Sequence, residues 1–433
     1  MSRSGVHILE RRFTVLDEHD GFDRVLTRST HNKQNQGDTT MKLQAKFTRR
    51  TLLAAAAATL ALAGGAAHAQ EVIKIGFSGP LSGGAALYGK NVLSGMEMAA
   101  AEINAKPLEI GGKRYKVEIV ALDDKYNPAE TGINVQRLVQ QHKTAAVLVP
   151  HSGGVFAVQA FNEKSKVLLL AYTSLPQVTD RGNKLTIRIP PDFTGYIMPF
   201  TKAMMAKHGK NVAMVQADHD YAKAWSAAFK PVWEAQGGKV VAENPMSYNK
   251  ATDFYSGVSR AMQAKPDVMF IGGASEPTAL VAKQARELGF KGGFIILDQA
   301  KIDEMAKVVG GIAPLEGSIG VMPLANDDRP EAVAFTQRYR KLNPGKDPST
   351  EISLNYSTVH ATVAAMKLAG TTTDAAAIRA QMEKAYTTLP AMYNPNDIDG
   401  LDSKGGTIAN VILGTVEGGK IKGQFLRALN AGK

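Results

Sequence analysis

Several short stretches of this chain hold residue types that could do chemistry. Gly84-Ala85-Ala86-Leu87-Tyr88-Gly89-Lys90-Asn91 has nearly the spacing of a phosphate-binding loop, follows an expected strand and opens an expected helix. Asn91 stands where such a loop needs the Ser or Thr hydroxyl that holds magnesium, so the stretch reads as a flexible loop. Gly76, Gly79, Gly83 and Gly84 lack the spacing of a dinucleotide cradle. Asp123-Asp124, at a strand end, suits either a general acid/base or metal pair or a plain turn and capping feature. His151 beside Ser152 is no catalytic pair, because adjacency in sequence does not align a base with its nucleophile. The nine His include no H-E-x-x-H or H-x-H, and there is no G-x-S-x-G elbow. With no Cys, thiolate metal sites, iron–sulfur clusters, catalytic thiols and disulfides are excluded. Catalysis, a metal and a resident cofactor therefore have no support.

Two strand ends are more informative. After the apolar run Ala145 to Val149 comes Pro150-His151-Ser152-Gly153-Gly154, where a hydroxyl and unhindered N–H groups at a helix start can face an anion. After Val167 to Ala171 comes Tyr172-Thr173-Ser174-Leu175-Pro176, which brings further hydroxyls and N–H groups to the crevice where open α/β sheets hold ligands. Either segment alone is equally a helix cap. Together they suit a carboxylate.

The elements that must position these loops alternate. Expected strands are Val72 to Phe77, Lys116 to Leu122, Ala145 to Val149, Val167 to Ala171, Asn211 to Gln216, Lys239 to Asn244, Val268 to Ile271 and Gly293 to Leu297. Amphipathic helical stretches lie between them, among them Tyr88 to Asn104, Pro128 to Gln141, Val155 to Lys164 and Tyr221 to Gln236. This rhythm predicts an α/β protein with parallel sheets covered on both faces. It pauses at Ile189-Pro190-Pro191-Asp192 and at Val321-Met322-Pro323-Leu324, dividing the chain into two α/β blocks and a final section. Two lobes hold eight strands more easily than one sheet does. The tail reads as a hairpin, Thr407 to Val416 and Lys420 to Phe425, turned at Glu417-Gly418-Gly419.

The 433 residues carry a formal charge of +11, part of it in the first 69 residues, which leaves +7 on the rest. That excess is scattered, without like-charge runs or aromatic interleaving, so nucleic acid is not an expected partner. Residues 1–40 are expected to be a disordered leader or the product of a mis-assigned start. From Met41, a basic stretch, an apolar run from Leu52 to Ala63 and Ala67-His68-Ala69 form an expected export signal, residues 41–69. The run is too short to span a bilayer. Arg49-Arg50 fits either the general secretory or the twin-arginine route, and the expected destination is the periplasm.

The stretch Ile73 to Gly83 (IKIGFSGPLSG), then Tyr88-Gly89 and Gly95-Met96-Glu97-Met98-Ala99, resembles the branched-chain amino-acid binding protein family, the type I periplasmic solute-binding proteins of ABC importers. The likeness continues through Asp123-Asp124 with Pro128, Ser174 to Gly182, Asp218 with Tyr221, Lys265 to Val268, Gly272-Gly273 and Gln284 to Gly289. It implies two Rossmann-like lobes with parallel-type central sheets, joined by a three-crossover hinge. The lobes are expected over 71–191 with 324–400 and over 192–323 with 401–433, the third crossover falling near Asp399 to Gly405. The implied function is to bind a small carboxylate-bearing solute, a branched-chain or other amino acid, between the lobes without turnover. The solute then passes to a membrane permease. An aromatic acid, an amide, a sensing role and an exported enzyme are the alternatives, and a monomer is expected. Carried over by position, Ser152, Gly153, Thr173 and Ser174 look like partners of the solute carboxylate, and Tyr88 and Tyr221 like aromatic walls. Asp298 looks like the partner of an ammonium, with Gln299 the competing alignment. Ala274 stands where amino-acid binders often carry a bulky aromatic residue, which would leave room for a larger solute.

Overall fold

The computed structural model describes residues 70–426; the expected leader and export signal lie outside them. Among the described residues, no helix is long and apolar enough to cross a membrane.

The first sheet holds β1 (Glu71–Gly79), β2 (Leu108–Ile110), β3 (Lys113–Asp123), β4 (Ala146–Val149), β5 (Leu168–Ala171) and β6 (Thr186–Arg188), in the order β2-β3-β1-β4-β5-β6. Only β2 runs antiparallel to its neighbour. Every residue of β4 and β5 is buried, as continuous apolar runs must be when helices cover both faces of a sheet. Leu148 belongs to the apolar cluster that holds Val92 and Met96 of the helix Ala86–Asn104 and Tyr356 of the helix Thr350–Ala369. Its neighbours Val147 and Val149 belong instead to the cluster holding Val135, Leu138 and Val155, from the helices Pro128–Gln140 and Ser152–Gln159. That alternation is the two-residue period of a strand sorting its side chains to two layers.

The second sheet holds β7 (Asn211–Met214), β8 (Lys239–Glu243), β9 (Val268–Ile271), β10 (Gly293–Ile296) and β11 (Ile319–Val321) in parallel. To these are added β14 (Val411–Glu417) and β15 (Lys420–Leu426), both antiparallel, in the order β15-β14-β11-β10-β9-β7-β8. Its core is aromatic. Trp225 stacks on Phe193 at 4.8 Å, and Phe229 on Phe270 at 4.6 Å, so the helix Asp220–Ala235 is fixed by rings.

Backbone packs on backbone between the helices Ala86–Asn104 and Thr350–Ala369. A Cβ at Gly95 would stand 2.2 Å from the Ile352 carbonyl oxygen, so only glycine allows this approach. The second helix is buried over most of its length, and several of its hydroxyls bond its own backbone: Thr358 Oγ1 donates to Leu354 O at 2.8 Å, Thr362 Oγ1 to Thr358 O at 2.7 Å.

The chain passes between the sheets three times. The first passage follows β6 at Pro190-Pro191, where missing N–H groups end the strand. Buried Arg188 pins it, donating to Pro190 O at 2.6 Å and to Asp402 Oδ2 at 3.2 Å. The second follows β11 at Met322 to Leu324. The third lies at Asn410, between β13 (Thr407–Ala409), which pairs with β12 (Ile398–Leu401), and β14. The expected strand Thr407 to Val416 is thus two strands, and the passage comes later than Asp399 to Gly405. The three lie side by side: Met322 N donates to Ile412 O at 2.9 Å, and Thr407 Oγ1 to Ile189 O. The sequence pattern does not show β2, β6, β11 and β12, whose three or four residues are too few to establish a period.

Candidate ligand-binding site

The loops after β4 and β5 and the loop after β10 meet at one cavity of about 820 Å³, counted to its mouth. Pro190, Pro191, Met322, Leu324 and Asn410 also line it, so the three passages form one end of the cavity. Five tyrosines, Tyr88, Tyr126, Tyr172, Tyr196 and Tyr221, give it aromatic walls.

Its polar centre joins the two sheets. Ser174, from the loop after β5, donates from Oγ to Asp298 Oδ2 at 2.6 Å and lies 2.8 Å from the Tyr221 hydroxyl. Tyr221 donates to Asp298 Oδ1, which also accepts from Trp225 Nε1 at 3.0 Å. Three neutral donors therefore converge on one carboxylate. Burial, with the Asp298 charge beside it, raises the Tyr221 phenol well above its ordinary range, and burial does the same to Tyr88 and Tyr172. All three remain neutral donors at any physiological pH.

Of the residues the sequence singled out, Tyr88, Thr173, Ser174, Tyr221, Asp298 and Gln299 line this cavity. The Tyr88 hydroxyl donates to Pro150 O at 2.7 Å, and its ring lies 5.9 Å from Tyr172. Ser152 stands behind the wall, buried, its Oγ 2.8 Å from Thr173 Oγ1. Gly153 lies outside the lining too; a Cβ there would come 2.7 Å from Pro128 Cγ and 3.5 Å from Asp220 Oδ2. Ala274 is buried in the apolar cluster that includes Tyr88, at the start of the helix Ser275–Glu287, and does not reach the cavity. Asp123 and Asp124 hold a turn: Lys125 N and Tyr126 N each donate to one of them at 2.9 Å. Among the described residues, no group of His, Asp or Glu has the arrangement of a metal site.

Sequence reasoning missed Lys301 and its partners. Its Nζ donates to Asp298 O at 2.5 Å and pairs with Glu351, 2.9 Å away at the start of the helix Thr350–Ala369. Burial is the largest single influence and would lower this ammonium, but the charge and hydrogen bond of Glu351, with the Asp298 and Glu304 charges, together outweigh it and leave the pKa raised. Glu304 receives Asn91 Nδ2 at 2.5 Å and Ser275 Oγ at 2.6 Å. Its pKa is pushed up to about 8, chiefly by burial and then by the charge of Glu351. Asn91, whose identity spoils the phosphate-loop pattern, thus has a partner on the second sheet's side. A lysine following an apolar strand within three residues of an aspartate was the only available signal for Lys301.

A cavity between two helix-covered sheets, floored by three chain passages and bonded from both sides, is the arrangement of a two-lobed receptor. A family model described as "Periplasmic binding protein" matches residues 72–420. The chain belongs to that family. An "Amino acid binding protein" of Pseudomonas aeruginosa is 27% identical over 337 residues, spanning 75% of this chain and 86% of the relative. The "Leucine-, isoleucine-, valine-, threonine-, and alanine-binding protein" of the same organism is 25% identical, over 80% of this chain and 91% of its own. In fold, a branched-chain amino acid transporter substrate-binding protein of Streptococcus pneumoniae, solved with isoleucine, superposes with a TM-score of 0.70 at 24% identity, covering 82% of this chain and 99% of that one. A solute-binding protein of an ABC transporter from R. palustris, solved with benzoate, gives a TM-score of 0.70 at 19% identity over 83% and 96%. This periplasmic binding protein therefore has the type I fold of non-enzymatic solute receptors and is an exported protein.

Proposed function

We propose that this periplasmic binding protein receives a small amino acid in its cleft and delivers it to the permease of an ABC importer. The observation that carries the reading is the meeting of Ser174, Tyr221 and Asp298 from opposite sides of one cavity. A solute placed there touches both lobes, taken as residues 71–191 with 324–409 and residues 192–323 with 411–426. Only the closed form offers both sets of contacts, so binding shifts the population toward closure.

The hydroxyls and N–H groups of Thr173 and Ser174 suit the solute carboxylate, with Ser152 fixing the Thr173 hydroxyl from behind. Asp298 suits the ammonium. An aromatic acid with no cationic group would leave that carboxylate without a countercharge inside the cleft, so the charge favours an amino acid over a benzoate-like solute. Tyr88 and Tyr221 form walls for an apolar side chain. The protein acts as a monomer, and the permease reads the closed shape.

A thermal-shift screen of L-amino acids, their amides and aromatic acids, followed by calorimetry, tests the reading. At least one L-amino acid is expected to raise the melting temperature by mass action and to be recovered unchanged. Failure of every amino acid at millimolar concentration, or conversion of the bound compound, would refute it.

A further inference from the structure

Tyr126 has a backbone conformation that packing alone does not call for. It and Lys125 are consecutive residues in the left-handed region, with φ of 63° and 54°, where a bulky side chain is a genuine outlier. Asp123 Oδ1 holds Lys125 N and Asp124 Oδ1 holds Tyr126 N in this turn. Asp124 is itself fully buried and fixed by three side chains: Ser78 Oγ at 3.1 Å, Thr131 Oγ1 at 2.8 Å and His151 Nε2 at 3.1 Å. His151 Nδ1 accepts from Gly154 N at 3.0 Å, which assigns the ring proton to Nε2 and makes that nitrogen the donor to Asp124. This network aims one ring. Tyr126 stacks on His151 at 4.5 Å and 20°, lines the cavity, and meets the second sheet's side twice: His219 at 5.3 Å, and Gln299, whose Nε2 donates to the Tyr126 hydroxyl at 3.0 Å.

We propose that Tyr126 is the cover of the cleft, a positioning residue of the first lobe that holds the second lobe closed over the solute. The inference rests on the solute-receptor reading of the cavity. The stack on His151 persists in any state of the cleft, because both residues belong to the first lobe. The contacts with His219 and Gln299 exist only when the cleft is shut. A ring anchored on one side and bonded on the other adds its energy to the closed form alone, and the backbone strain is maintained by a buried aspartate that also ties β1, the helix Pro128–Gln140 and His151 together.

The test uses the absence of cysteine in the sequence. Spin labels on Glu130→Cys and Lys223→Cys, exposed sites on the helices Pro128–Gln140 and Asp220–Ala235, report the opening of the ligand-free protein by pulsed dipolar spectroscopy. Tyr126→Phe, which keeps the ring and loses the hydroxyl, should shift the distances partly toward the open form. Tyr126→Ala should shift them further, with the melting temperature nearly unchanged. With L-leucine as probe, the Ala variant should release it roughly tenfold faster, at an association rate changed by less than about threefold. Identical distance distributions in all three proteins would overturn the proposal. Failure of L-leucine and the other amino acids to bind would overturn the amino-acid reading instead, since the distances are measured without ligand.

Discussion

Replacing Asp298 by Asn tests the assignment of the cleft's charge. In the structure Oδ1 accepts from the Tyr221 hydroxyl and from Trp225 Nε1, and Oδ2 only from Ser174 Oγ. An amide has one oxygen. Its NH₂ group must take the Oδ2 position, because Ser174 can turn its hydroxyl to accept, whereas the Trp225 N–H cannot. The fold should therefore tolerate the change, with three charge-assisted hydrogen bonds becoming neutral at a cost of about 1 kcal/mol each or less. An ammonium-bearing solute loses more, because its own bond to a buried carboxylate is worth about 1.5 to 3 kcal/mol. At about 1.4 kcal/mol per factor of ten, that is a loss of roughly 10- to 150-fold in affinity. Calorimetry on wild type and Asp298→Asn, with the amino acid that binds best and its deamino analogue, separates the two effects. The amino acid should lose affinity by that factor, while the analogue should hold its affinity or gain. An equal loss for both would refute the role of Asp298 as the ammonium partner.

Lys301→Met strands Glu351, whose side chain is wholly inaccessible, and should cost about 3 to 5 kcal/mol in urea unfolding. Adding Glu351→Gln should recover most of it, and a double variant no better than the single would contradict the pairing. The Glu304 carboxyl, raised in the folded protein to about 8, binds its proton more tightly folded than unfolded, so its stabilising contribution is present below the ordinary carboxyl range and fades as pH rises through about 8. Wild-type melting temperature should accordingly fall relative to Glu304→Gln between about pH 5 and 8; a constant difference would exclude this titration. Gly95→Ala drives a Cβ into the Ile352 carbonyl and should cost about 1 to 3 kcal/mol or more, visible as earlier thermal unfolding.

The sheets were legible where burial on both faces forces unbroken apolar runs. Val268 to Ile271 is read with its observed bounds, and Ala145 to Val149 within one residue. The short strands β6 and β11 carry no such mark, since three residues fit any period, and pairing alone makes them strands. The helix expected from Val155 starts at Ser152, because His151 Nδ1 caps it by accepting from Gly154 N. In the cleft, the polar strand end after β5 announced Thr173 and Ser174, whereas Asp298 came only through the family resemblance, with Gln299 as its competitor. Tyr126 was silent: a left-handed tyrosine leaves no trace in composition, and its turn is set by a buried network reaching from Ser78 to His151. Lys301 and Glu351 were silent for another reason, since each alone reads as an ordinary surface charge and only the fold buries them together.

The bonds that cross the cleft also set what a solute must achieve. Ser174 reaches Asp298, Gln299 reaches Tyr126, and Lys301 reaches Glu351, so each of these polar groups has a protein partner across the cavity. A solute inserted between Ser174 and Asp298 exchanges one short bond for two of its own, and its net affinity is that difference less the cost of immobilisation. On the proposed reading, the contacts of Gln299 and Lys301 lie outside this exchange and should discriminate little among solutes. On that reading, selectivity is expected to rest on Ser174, Tyr221 and Asp298 and on the tyrosine walls, while the remaining cross-cleft bonds hold the two sides together.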